Sequence, residues 1–112
     1  MSDVPLNRKV VLEAPVATAD GAGGQTRGWR VLGSLWCAIE SATGRNIGSP
    51  AGVMLRQQVR VTVRAAAPNS EAHPRAGQRF RSGDRLLKIV SVAESGSDAR
   101  YLVCMTQEEV AP

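Results

Sequence analysis

Any nucleophilic or acid–base chemistry in this chain would have to pass through His73, the only histidine among 112 residues. A Ser-His-Asp or Cys-His arrangement needs an imidazole as its base. His73 lies in a proline-flanked loop, "APNSEAHPRAG", and reads there as a solvated side chain. The two cysteines, Cys37 and Cys104, sit inside apolar, strand-like stretches and read as small buried thiols of a chain made in a reducing cytoplasm. Together with His73 they lack the ligand number and spacing of a zinc centre, so no metal is expected. "DGAGG", starting at Asp20, has the glycines of a phosphate loop. It lacks the strand-to-helix setting and the Lys-Ser/Thr ending, and reads as a turn. No pair of carboxylates stands out as an acid–base couple. These residues predict no enzyme and no cofactor.

Arginine is the chemistry that remains. The chain has twelve Arg and two Lys against ten acids, a formal net charge of +4. Ten of the cations and only Glu40, Glu71 and Asp84 fall between Arg27 and Arg85, whereas Glu94 to Glu109 holds four acids and one Arg. A basic middle meets phosphates or carboxylates, and an acidic end suits head-to-tail packing of identical subunits. Arg60 and Arg64 lie on one face of "QVRVTVRAA", where three uses are open: a DNA contact, a subunit contact, or a solvated face that protects the sheet edge-on. The four aromatics, Trp29, Trp36, Phe80 and Tyr101, are too few for a base-stacking platform. The tryptophans read as core or interface anchors.

The elements that must hold these residues are short strands. "KVVLEA" from Lys9 is the first, followed by the Gly-rich turn. Arg27 to Ser41 reads as two strand pieces joined by a bulge or bend at Gly33 and Ser34. "QVRVTVRAA" alternates most clearly, with Val59, Val61 and Val63 facing one way and Arg60, Thr62 and Arg64 the other. Gln78 to Arg81 is a very short strand. Asp84 to Val92 and Arg100 to Thr106 form a closing hairpin, and "RLLKIVSV" alternates in neither register, which predicts a bulge or a strand covered on both faces. The sum is a single all-β domain over residues 1–112, a small antiparallel barrel or sandwich of about six strands. Its one irregular middle stretch is a long inserted loop over 43–57, with a short helix expected from Ser49 or Pro50 to Gln58. No apolar run approaches the ~20 residues of a membrane-spanning helix, and the first residues lack the apolar core of a secretory signal.

The order of these features resembles the phage head–tail joining family, the adaptor and head-closure (stopper) proteins. The resemblance runs over about residues 6–109 and rests on "LNRKVVLEAP", "TRGWRVLGSLWCAIESATGRN", "VRVTVR", "QRFRSGDRLLKIVSV" and "RYLVCMTQEE" in that order. It implies a small β-barrel subunit of a homo-oligomeric ring in a virion or phage-like particle. That ring sits between a portal or adaptor protein on the head side and a tail terminator or tail tube protein on the other. In the family it closes the channel on packaged double-stranded DNA and docks the tail. Carried over by position between strands, the channel-facing loop holds Thr43, Gly44, Arg45, Asn46, Gly48 and Arg56. Arg60, Arg64 and Arg79 are candidate subunit or DNA contacts on the reading of the residues alone. The resemblance accommodates either a phage or a gene transfer agent built from prophage parts. The competing expectation is a free-standing nucleic-acid-binding barrel that uses the same three arginines. No membrane partner is implied.

Overall fold

The computed structural model describes residues 5–46, 55–96 and 99–110, and for 42–46, 55–56 and 109–110 it describes the backbone alone. Six strands follow in order: β1 (Arg8–Ala19), β2 (Gln25–Asn46), β3 (Leu55–Arg64), β4 (Arg79–Ser82), β5 (Arg85–Ser95) and β6 (Tyr101–Val110). All pairings are antiparallel, and the order β1-β2-β3-β6-β5-β4 closes when β4 returns to β1. Of the two expected architectures, the barrel is the one formed.

Period-2 alternation fills its interior. Val59, Val61 and Val63 of β3 point inward, joined by Val10, Leu12, Cys37, Phe80, Leu87, Ile89, Leu102 and Cys104. The one buried hydroxyl on this inner face, Thr106, donates to the Val59 carbonyl at 2.9 Å, so its burial leaves no unmet donor. The mixed pattern of "RLLKIVSV" resolves as a bulge: Ile89 pairs with Thr106 and Ser91 with Met105, leaving Val90 extra and half exposed.

Two elements are longer than the sequence suggests. β1 continues through Pro15 to Ala19 against β2, so part of the Gly-rich segment is strand and only residues 20–24 turn. Gly21 and Gly23 there adopt φ of 79° and 87°. Asp20 fixes this turn by accepting from the amides of Ala22 and Gly24 at 2.8 and 3.0 Å. β2 is one continuous strand of 22 residues, not two pieces. It carries a bulge at Leu32, one residue before Gly33, where Leu12 pairs with Gly33 and Glu13 with Val31.

Both described ends of the expected 43–57 loop, 43–46 and 55–57, are strand. Thr43, Gly44, Arg45 and Asn46 pair with Gln58, Gln57, Arg56 and Leu55. The ladder continues into β6, where Leu55 pairs with Val110. Small and polar residues hide this run from a propensity reading, but a two-sided ladder holds it. Leu55 to Gln58 is therefore strand where a helix was expected; the rest of that helix, and Gly48, fall outside the described residues. The two hairpin extensions stretch the molecule: its radius of gyration is 15.7 Å, against about 13 Å for a compact chain of this length.

Candidate functional site

The outer face of the barrel carries the polar groups. Glu13, on β1, stands directly opposite Arg79 on β4, with Arg81 two residues along the same strand. Its carboxylate accepts from Arg79 Nε at 2.7 Å and from Arg81 Nε at 3.0 Å. The Glu13 side chain is buried to 7% exposure, and burial alone raises a carboxyl pKa. The two guanidinium hydrogen bonds and their charges outweigh it, and hold Glu13 below the usual carboxylate range.

Arg79 has a second partner. Its guanidinium lies 4.0 Å from the centre of the Trp29 ring, a stacking contact between β4 and the start of β2. Trp29 pairs across the ladder with Pro15, beyond the point where β1 has left β4. The Glu13–Arg79–Trp29 stack therefore fastens the base of the β1–β2 extension to the barrel wall. A second ion pair closes one end of the interior: Arg85 donates to both oxygens of Glu108 at 2.8 and 2.9 Å.

The other arginines singled out by sequence are placed differently. Arg60 and Arg64 project from the outer face of β3, both exposed, and four residues of strand separate them by about 13 Å. Arg64 lies 5.8 Å from the Tyr101 ring. Thr62 between them is buried even though it faces outward, flanked by its cross-strand partners Ala38 and Val103. Arg79 faces outward too, but it is engaged by Glu13 and Trp29. The backbones of Thr43, Gly44, Arg45, Asn46 and Arg56 form the paired part of the β2–β3 extension.

Two expectations are corrected. His73 is half-buried and not a freely solvated side chain: its Nδ1 lies 3.3 Å from the Ala66 carbonyl, which folds the loop back on itself. Of the two uses expected of the tryptophans, core or interface anchor, the core one is excluded, since Trp29 is 39% and Trp36 58% exposed. Cys37 and Cys104 are free and fully buried, and burial pushes their thiols up to about 11 and about 12. No three His, Cys, Asp or Glu side chains gather as a metal site among the described residues.

Comparison with known proteins finds a family profile, phage head completion protein, matching residues 1–109. This chain belongs to the phage head completion protein family. A solved structure described as "Virion of native gene transfer agent (GTA) particle" contains a chain 35% identical to this one. The alignment covers 98% of this chain and 100% of that one, with a TM-score of 0.86. No curated protein matches. The head completion assignment makes this chain a structural component of a phage-type particle, in agreement with the resemblance drawn from its ordered strands.

In this head completion protein the Glu13–Arg79–Trp29 stack was the feature least visible in the sequence. Glu13 sits within "KVVLEA", where a charged residue in a β-branched run is a signal of special pairing, but nothing local names its partner 66 residues away. The chemistry available is recognition: guanidinium pairs, exposed tryptophans and strand extensions that present backbone beyond the barrel.

Proposed function

We propose that this chain forms a homo-oligomeric ring at the head–tail junction of a gene-transfer-agent-type or phage particle, closes the DNA channel after packaging and presents the surface on which the tail docks. The observation that carries this is the family match over residues 1–109 combined with a full-length relative from a gene transfer agent virion. The role is structural and non-enzymatic. The partners are sister copies, a portal or adaptor protein on the head side, a tail terminator or tail tube protein on the other, and double-stranded DNA in transit.

The physical features fit. A barrel of this size buries only about two-thirds of its unfolded surface, and contacts with neighbours add what the subunit lacks. Heterologous contacts that close by rotation generate a ring, and a basic middle beside an acidic end helps specify them. The β2–β3 extension, with Thr43, Gly44, Arg45, Asn46, Gly48 and Arg56, is the channel-facing element of this reading. Its described backbone, 43–46 and 55–57, is held in the ladder that joins β2, β3 and β6. Arg60 and Arg64 serve neighbouring subunits or passing phosphate.

The test replaces residues 47–54 with a two-residue Asn-Gly turn in assembling particles and measures nuclease-protected DNA per particle. Particles that assemble and attach tails but leak DNA support channel closure. Full retention of DNA removes it. A free chain that binds DNA tightly as a monomer, with a steep salt dependence, would favour the stand-alone binder instead.

A further inference from the structure

Beyond Glu13, β1 leaves β4 and, among the described residues, pairs only with β2, so no described strand lies beside its other edge. The β1–β2 extension stands over the outer wall of β4, β5 and β6, and the space between them is a groove of about 840 Å³. That volume lies within the range of about 300–1,000 Å³ typical of ligand sites. Each side contributes one large apolar group and one cation. The extension supplies Trp29 and Arg27, and the wall supplies Leu86 and Lys88. Trp29 and Leu86 are 39% and 43% exposed. The third cation in the groove, Arg79, is already paired with Glu13. No carboxylate lines the groove, and Arg27 and Lys88 have no partner among the described residues.

We infer that this groove is a docking site for an extended acidic segment of another protein, one in which carboxylates and aliphatic side chains succeed each other at every second position and so share the face turned to the groove. Its carboxylates meet Arg27 and Lys88, its apolar side chains cover Trp29 and Leu86, and its backbone pairs with the open β1 edge between Pro15 and Ala19. Strand addition of this kind draws affinity from main-chain hydrogen bonds and specificity from alternate side chains. It also answers the hazard that an unpaired edge beside an apolar surface presents. DNA fits less well. Two free cations neutralise few phosphates, whereas duplex binding proteins commonly engage about 6–10, and Trp29 and Leu86 offer nothing to a phosphate backbone. The site is on the opposite extension from the channel-facing arm and stands whether or not that arm closes a channel.

The test uses the purified full chain and a fluorescein-labelled, end-capped peptide, Glu-Glu-Val-Leu-Asp-Asp-Val, whose two strand faces each carry both carboxylates and aliphatic side chains. The expected result is saturable binding that falls at least about tenfold, ~1.4 kcal/mol, in the R27E/K88E double variant. Both positions are exposed, and an unchanged thermal melt confirms an intact fold. Peptides N-methylated on alternate amides separate strand addition from charge attraction: one methylation frame abolishes binding and the other leaves it. The inference is overturned by no saturable binding, by equal binding of a peptide with Lys at the acidic positions, by loss in neither methylation frame, by preference for a short DNA duplex, or by self-association that depends on Arg27 and Lys88.

Discussion

Arg79 lies between Glu13 and Trp29, its Nε 2.7 Å from the carboxylate and its guanidinium 4.0 Å from the ring centre. One side chain thus joins the barrel seam, where β4 closes on β1, to the root of the extension that leaves it. Arg79 therefore links closure of the barrel to the placement of the β1–β2 arm. A planar guanidinium can hydrogen-bond at its edge while stacking on its face, which a lysine ammonium cannot do.

Glu13→Gln removes the charge and keeps the volume. Arg79 and Arg81 then lose their shared carboxylate while Arg79 stays largely buried at 21% exposure. Charge-assisted hydrogen bonds of this kind are worth ~1.5–3 kcal/mol, so the variant should lose about 2 kcal/mol in urea unfolding. For a domain of this size that corresponds to a fall in melting temperature of about 8 °C. Trp29 emission should shift to the red as the arm loosens, measured in a Trp36→Phe background so that only one indole reports.

Acid sensitivity follows from the same carboxylate. The folded-state pKa of Glu13 lies below its unfolded value, so the native state holds its proton less tightly. The resulting stability is fully present above the ordinary glutamate pKa of ~4.3 and is lost as pH falls through the lower folded value. Asp20 acts with the same sign, because the Ala22 and Gly24 amides lower its pKa. Unfolding free energy measured from neutral pH down through the carboxylate range should decline in the wild type. In Glu13→Gln the decline should be shallower, and in Glu13→Gln with Asp20→Asn shallower again. An unchanged slope in both variants would show that neither carboxylate is the acid-sensitive group.

The inward valines of β3 and the bulge in "RLLKIVSV" were legible in the sequence because side-chain alternation is a local property that burial enforces. The β2–β3 extension was not, because Gly44, Arg45 and Asn46 carry little strand propensity. They are strand because Gln57, Arg56 and Leu55 lie opposite them and β6 lies beyond, which is a fact of pairing. Arg60 and Arg64 read as outward-facing and are so. Arg79 read as a contact residue alongside them, and its pairing with a glutamate far away in sequence was not legible. Ion pairs across a barrel seam leave no trace in spacing, and the groove under the β1–β2 arm depends on where that arm stands.

The two thiols test the closed core directly. Cys37 and Cys104 face the interior, and burial pushes their pKa values to about 11 and about 12. The thiolate is the reactive form, so neither should react with an aromatic disulfide reagent at neutral pH. Titration is expected to count no thiol in the native chain and two in denaturant. Native labelling should proceed at the rate of global opening and slow as stability rises. A rapidly labelled thiol in the folded chain would mean that the barrel opens locally between β2 and β6.

Burial, and not size, should decide what the large side chains contribute. Phe80 is fully buried on the short β4 strand, touching the centre of the core. Truncating a buried Phe to Ala costs ~3–5 kcal/mol through lost transfer energy and the cavity left behind. Against a typical total stability of ~5–15 kcal/mol, Phe80→Ala should leave the isolated chain marginal or unfolded at ambient temperature. Trp36 is larger but 58% exposed, with Lys9 over its ring at 5.9 Å. Trp36→Ser should change unfolding free energy by no more than about 0.5–1 kcal/mol, the range of exposed substitutions and exposed cation–π contacts. Urea denaturation followed by circular dichroism compares the two variants. Equal losses in both would contradict the assignment of Phe80 to the interior and Trp36 to the outer face.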